Sequence, residues 1–387
     1  MLLGEARSKC QHLAGTPLKP EVAEHFYEVT LIKGAWATTA IEGNTLSEEQ
    51  VAGIRAGTFK APPSREYQER EVQNVLDALG WLHRLVQAGE APKLTSELLC
   101  EFNLRLLEGT EVDEDVVPGE LRLKSVAVGP YLGAPAEECS LLLDKLCAWI
   151  EGTTFQSDDD ELQFALALLA AAIAHLYIAW IHPFGDGNGR TARLVEFLIL
   201  ARSGAVPIPA AHLLSNHYMA TRPRYYRELN KASQNGGDIR DFLAYAIQGF
   251  VDGIRDQIDQ VRTQQFLVAW VNFVHETMSP LPNTGTTERQ LALVLAMPVG
   301  WTSRRDVMDL SPKTARLYSG VGPRTLTRDL NRLESLGLVG LERSGREVRA
   351  VMPRIDRLAA FLPPMARPKP PSEVEPEDPQ LGLFDDV

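Results

Sequence analysis

The chain has 387 residues, a length that suits two or three domains, each able to bury a core of its own. With 44% hydrophobic and 23% charged residues it is composed like an average globular protein, which excludes whole-chain disorder, collagen-like repeats and disulfide scaffolds. A net charge of -12 excludes a blanket binder of nucleic acid or membrane surface and leaves room only for a local basic module.

Residues 1–110 read as a helical region. Leu31, Ile32 and Trp36, then Val72, Val75, Leu76, Leu79 and Leu82, recur at helical spacing, with a proline-bearing loop over residues 56–65 between them. Inside it, residues 37–44 (ATTAIEGN) put Thr38 and Glu42 four apart on one helix face, with Gly43-Asn44 as the stop. The cysteines Cys10, Cys100, Cys139 and Cys147 form no C-x-x-C pair, so free thiols are expected. No basic and apolar leader opens the chain, and a cytoplasmic location is expected.

Residues 111–278 read as a second helical region. Its exception is a strand-like patch at residues 121–128 (LRLKSVAV), ended by Gly129-Pro130 and expected to form a short hairpin. Helices are expected over residues 134–150, 161–180, 191–203 and 210–278. Residues 164–181 (FALALLAAAIAHLYIAWI) come near the length of a bilayer span. The alanine content, His175 and the polar glycine-rich segment that follows mark a buried central helix instead, and no membrane partner is expected. His175 is expected to be a hydrogen-bonded core histidine.

A proline- and glycine-bearing linker at residues 279–286 leads into a third region, residues 287–363. Helix patterns at 288–297, 303–310 and 324–336 precede strands at 338–342 and 348–352, an order that resembles a winged helix. Arg324, Arg328 and Arg332 recur at i, i+4, i+8, and the wing adds Arg343, Arg346 and Arg349. That stripe is an electrostatic footprint for DNA phosphates, although Asp329, Glu334 and Glu347 dilute it and protein docking is the alternative. Residues 366–387 are proline-rich and acidic, hence expected to be disordered. They end in QLGLF, from Gln380 to Phe384, which resembles the peptide that docks in the bacterial sliding clamp.

The densest chemistry lies at residues 181–193 (IHPFGDGNGRTAR). Pro183 stops the apolar helix and a new helix starts near Gly189. The glycines let backbone N–H groups approach an anion, and the new helix aims its positive end at the same place. Arg190 and Arg193, three apart, can both reach phosphate oxygens. Asp186 is an oxygen ligand for Mg²⁺, and His182 stands at the rim as a base. Base, metal ligand, anion cradle and charge clamp are the inventory of phosphate-ester chemistry.

This segment resembles the Fic family, whose pattern H-P-F-x-[DE]-G-N-G-R-x-x-R is matched at every fixed position from His182 to Arg193. The resemblance covers residues 20–250. It implies a mainly α fold with a small hairpin flap and a protein adenylyltransferase that moves AMP from ATP to a Ser, Thr or Tyr hydroxyl. His182 would be the base, Asp186 the Mg²⁺ ligand, and Gly187, Asn188 and Gly189 the anion hole. Arg190 and Arg193 would hold the distal phosphates, with Phe184 anchoring the loop. Residues 38–43 resemble the family's inhibitory helix, which implies that Glu42 pairs with Arg193 and blocks the γ-phosphate. The same glutamate allows the reverse activity, removal of AMP by water. A DNA-binding regulator with a nucleotide-sensing core is the other alternative. Residues 120–128 resemble the flap, and either Tyr225 or Tyr226 would flank adenine unless both pack in the core.

Overall fold

The computed structural model describes residues 1–128, 131–234 and 236–361. Its order is α1 (Leu2–Ala14), α2 (Pro20–Ile41), α3 (Glu48–Arg55), α4 (Glu66–Gln87), α5 (Ser96–Leu107), β1 (Ala127–Val128), β2 (Tyr131–Leu132), α6 (Cys139–Glu151) and α7 (Asp160–Ile181). Then come α8 (Asn188–Arg202), α9 (Leu213–Ala220), α10 (Arg222–Gln234) and the 39-residue α11 (Arg240–Met278). The fold is mainly helical, as expected. Two compact units divide between Gln260 and Val261, inside α11.

In the first unit α7 is the central rod. Asp159 caps it by accepting from the Leu162 N–H (2.8 Å), and Asp160 and Glu161 oppose the helix dipole in the first turn. Ala170, Ala171, Ala172 and Ala174 are buried and small, which lets α8 pack closely along the rod. Among the described residues α7 is long and apolar enough to cross a membrane, but 67% of its most apolar window is buried inside the protein. Helix α8 in turn packs on α2, α4 and α5. The C-terminal ends of α2 and α7 and the N-terminus of α8 therefore meet in one place.

The strand-like patch is shorter than expected. Strands β1 and β2 pair antiparallel through Ala127↔Leu132 and Val128↔Tyr131 only, and residues 121–126 take no strand. Their backbone is committed elsewhere: the Arg122 N–H donates to the Pro183 carbonyl (3.0 Å), so this stretch is tied to the glycine-rich loop. The Gly129-Pro130 turn lies outside the described residues, as does the acidic tail with its QLGLF segment. Cys10, Cys100, Cys139 and Cys147 are all free.

The second unit continues with α12 (Gly285–Ala296), β3 (Thr302–Ser303), α13 (Pro312–Tyr318), α14 (Pro323–Ser335), β4 (Val339–Ser344) and β5 (Glu347–Pro353). The antiparallel sheet has the order β3-β5-β4. Trp270, Val274 and Met278 of α11 belong to its core with Leu293, Leu330, Leu333 and Val351, which is why this unit begins before the 279–286 linker. The helix expected at 303–310 is absent. Ser303 is drawn into pairing with β5, and its hydroxyl donates to Asp306 (2.7 Å) to make a turn. The helix starts instead at Ser311-Pro312, where Ser311 forms a capping box with Thr314.

Asp329 is fully buried in this unit. It accepts from Arg289 (2.8 Å), Gln290 (2.9 Å) and the Tyr318 hydroxyl (3.1 Å), joining α12, α13 and α14. Removing one partner strands the others, so Asp329→Ala is expected to destabilise the unit by about 3–5 kcal/mol, read as a lower unfolding midpoint in urea. An unchanged midpoint would show that the network carries no stability.

Candidate functional site

Helix α7 ends at His182, the only non-glycine residue with positive φ (50°) among the described residues. A left-handed residue for a bulky side chain costs of order 1–3 kcal/mol and persists only where surroundings enforce it. The enforcement is visible. The His182 N–H donates to the Ile178 carbonyl (2.9 Å), and the buried Arg122 guanidinium donates to the His182 carbonyl (2.7 Å). Burial pushes the His182 imidazole below its usual pKa of 6.5, and the Arg122 charge pushes the same way. A backbone hydrogen bond and the carboxylates of Glu42 and Asp186 oppose this without reversing it. The ring is therefore neutral at pH 7, the state a base requires.

The loop is closed by its own side chains. Asn188 accepts from the Phe184 N–H (2.9 Å) and donates to the Phe184 carbonyl (2.9 Å), while the Phe184 ring is 1% exposed. The carboxamide of Asn188 is thus spent on loop closure, and what Asn188 can offer an anion is its backbone N–H. Helix α8 begins at Asn188, so the sequence GNGR forms the first turn, where backbone N–H groups have no partner within the helix. Gly187 takes φ 77°, and a Cβ there would lie 2.9 Å from the Asn103 amide. Asn103 is itself buried and clamps the loop, donating to the Asp186 carbonyl (2.8 Å) and accepting from the Gly119 N–H (2.9 Å).

The two motif arginines are buried and take different partners. Arg190 pairs with Asp186 (3.0 Å) and lies 3.6 Å from Glu71. Arg193 donates to Glu42 Oε1 (2.5 Å) and to the Thr38 carbonyl (3.0 Å), so Thr38 contributes its backbone. Burial disfavours the Glu42 charge, but the charge and hydrogen bond of Arg193, with Arg190 and His182 beyond, hold the carboxyl below its usual range. Asn44, just past the end of α2, donates to Glu71 (3.0 Å) and to the Gln68 carbonyl (3.0 Å), which fastens the Glu42 turn to α4.

Arg193 retains buried Nε and Nη1 atoms with no partner, and Arg190 a buried Nε. A Cβ on Gly189 would stand 2.2 Å from Glu42 Oε1 and 3.0 Å from Arg193 Nη1, so only glycine leaves that approach open. Unpaired guanidinium donors, first-turn N–H groups and a glycine-lined approach fit a polyphosphate. Asp186 is half exposed, and no group of three or more His, Cys, Asp or Glu side chains suited to a metal occurs among the described residues. A Mg²⁺ held here would take Asp186 and phosphate oxygens as ligands, as that ion commonly does.

Of the two tyrosines, Tyr225 is core: it is buried with its hydroxyl 2.8 Å from His175 Nε2. His175 is fully buried and also meets Glu196, which accepts from Tyr218 (2.8 Å). Tyr226 is 42% exposed and donates to the Ile41 carbonyl (3.2 Å), next to Glu42, which leaves its ring as the one able to flank a base. Sequence reasoning missed Asn103 and Glu71, gave Asn44 only the end of a turn and gave Arg122 no role. A polar residue buried by distant chain leaves no local pattern.

Residues 93–200 match the family profile described as the Fic/DOC family. Protein adenylyltransferase fic-1 of Caenorhabditis elegans is 31% identical over 227 residues, which are 58% of this chain and 41% of that protein. Protein adenylyltransferase Fic of Nematostella vectensis is 28% identical over 230 residues, 59% of this chain and 48% of its own. The chain thus spans less than half the length of these curated relatives. A crystal structure of a Fic family protein from Desulfovibrio desulfuricans G20 superposes with a TM-score of 0.55 at 23% identity, covering 91% of this chain and 94% of that one. Fic-1 (aa134–508) from C. elegans gives a TM-score of 0.53 at 26% identity over 68% of this chain and 72% of that one. Residues 93–200 of this chain are thus similar to the Fic/DOC family.

Proposed function

We propose that the chain is a protein adenylyltransferase that moves AMP from ATP to a hydroxyl side chain of a protein, and that Glu42 restrains it. The observation that carries the reading is His182, held at φ 50° at the end of α7, in one loop with the buried Arg190 and Arg193, whose guanidinium groups keep donors without partners. His182 takes the proton of the target hydroxyl. The hydroxyl oxygen forms its bond to the α-phosphorus, the bond from that phosphorus to the bridging oxygen breaks, and pyrophosphate leaves. The first-turn N–H groups of α8 and the two arginines stabilise the charge that builds on the phosphates. Magnesium on Asp186 would add charge neutralisation there. Incubation of the purified chain with labelled ATP and a lysate tests the reading: mass spectrometry should find an AMP adduct on Ser, Thr or Tyr, and its absence with Glu42→Gly as well would overturn it. We also place the reaction in the cytoplasm, where ATP is plentiful.

The approach past Gly189 gives a further expectation. Gly189→Ala should weaken ATP binding by about tenfold or more even in the Glu42→Gly background, because the methyl occupies the space beside Arg193. Calorimetric affinity unchanged by this substitution would mean that phosphate does not pass there.

A second reading concerns residues 261–361, and we propose that they bind duplex DNA. This stretch holds fourteen Lys and Arg against nine Asp and Glu within an acidic chain. Arg324, Arg328 and Arg332 are exposed along α14. Asp329, which the sequence suggested would dilute that stripe, is buried and paired, and Glu334 is paired with Arg343. Three arginines on phosphates would make log K fall with log salt at a slope of about −2.7. Anisotropy of a labelled duplex with the full chain should show that slope and lose binding in a triple Arg→Glu variant. Salt-insensitive or absent binding would sink this reading.

A further inference from the structure

Arg122 is a buried cation whose donors are nearly all spent on backbone carbonyls. Its guanidinium donates to the carbonyls of His182 (2.7 Å), Ile181 (3.3 Å), Lys124 (2.7 Å) and, by a short contact, Ala134, while the main-chain N–H of residue 122 donates to the Pro183 carbonyl (3.0 Å). Three of these carbonyls belong to consecutive residues at the end of α7. The other two flank the β1–β2 hairpin on its entry and exit sides. One planar fork thus ties the base of the hairpin to the residue in left-handed conformation.

We infer that Arg122 is the positioning residue of the site: it fixes the backbone of His182 so that the imidazole is aimed, and it fastens the hairpin to that same backbone. This deepens the reading of the chain as an adenylyltransferase and rests on it. His182 at φ 50° needs an external hold, and Pro183 cannot supply an N–H. The Arg122 side chain supplies it through the Ile181 and His182 carbonyls. Any segment that docks on the hairpin then acts on the base through one side chain. A lysine cannot replace it, since a single ammonium lacks the rigid fork that spans these acceptors.

The charge gives a readout that a purely structural role would not move. The charged groups acting on His182 are Arg122 from the hairpin approach, Glu42 from the end of α2 and Asp186 from the loop; Arg122 alone among them disfavours the imidazolium. Removing it raises the His182 pKa and moves the acid limb of the pH–rate profile to higher pH. The test is made in the Glu42→Gly full chain with Arg122→Met and Arg122→Lys. Both should lower kcat by about 10- to 100-fold, as expected for a misplaced reacting group, with KM for ATP within about twofold. Only Arg122→Met should shift the acid limb, because Arg122→Lys keeps the charge. Histidine NMR titration of His182 reads the same shift without turnover, so it stands apart from whether the chain transfers AMP at all. Full activity in Arg122→Lys, or kcat and ATP affinity falling together, would overturn the inference. So would an unshifted His182 titration in Arg122→Met, and if that variant does not fold, Arg122→Lys carries the kinetic test.

Discussion

Glu42→Gly should transfer AMP about 10- to 100-fold faster than the unaltered chain. The contact it removes is the 2.5 Å pair between Glu42 Oε1 and Arg193. Under the proposed function a carboxylate there does two things to an arriving triphosphate: it occupies a donor of Arg193, and it sets a negative charge where the terminal phosphate would sit. Two unit charges 4 Å apart at an effective dielectric constant near 20 repel by about 4 kcal/mol, which is roughly a thousandfold in rate. The Glu42 side chain keeps 36% of its surface accessible, so water screens part of this and the smaller range follows. The loss is not repaired by acid. Mild acid leaves Glu42 charged, because Arg193 holds its carboxyl below the usual range, while His182, lowered by burial, protonates only below its ordinary 6.5. Activity should therefore fall below pH 6.5 without an acid-activated phase. A rate for Glu42→Gly equal to that of the intact chain would end the case for a restraint.

His182→Ala should lower transfer by about 10²- to 10⁴-fold in the Glu42→Gly background while ATP still binds, because general-base assistance is removed and the phosphate cradle is left in place. Alanine is strained at φ 50°, so His182→Asn is the companion variant: asparagine tolerates that conformation and cannot act as the base. Transfer by both variants at the Glu42→Gly rate would remove His182 from the chemistry. Loss of ATP binding in both would mean that the histidine holds the loop rather than acts on the hydroxyl.

The grouping of the loop's side chains was legible because they are written contiguously. His182, Gly187, Gly189, Arg190 and Arg193 lie within twelve residues, and the chemistry of each follows from its type and spacing. Glu42 was legible through the four-residue spacing to Thr38 together with the family resemblance, since nothing local says what a carboxylate at a helix end will meet 151 residues later. Arg122, Asn103 and Glu71 act through backbone carbonyls or other side chains far along the chain, and such contacts leave no periodic trace. The displaced helix at 303–310 is a different failure. Arg304, Val307 and Met308 fit a helical pattern, but pairing of Ser303 with β5 won over local propensity and the cap at Ser311 set the true start. Asp329 shows the same limit in reverse, because an aspartate on a polar-looking helix was read as surface and is buried.

The central claim is that Arg193 exchanges Glu42 for the terminal phosphate of a nucleotide lodged at the start of α8. A crystal structure of the Glu42→Gly chain with ATP and magnesium tests it most directly. The account predicts the triphosphate along the first turn of α8, its terminal phosphate on Arg193 and its α-phosphorus facing His182. A nucleotide bound elsewhere, or bound here with Arg193 pointing away from the phosphates, would contradict it.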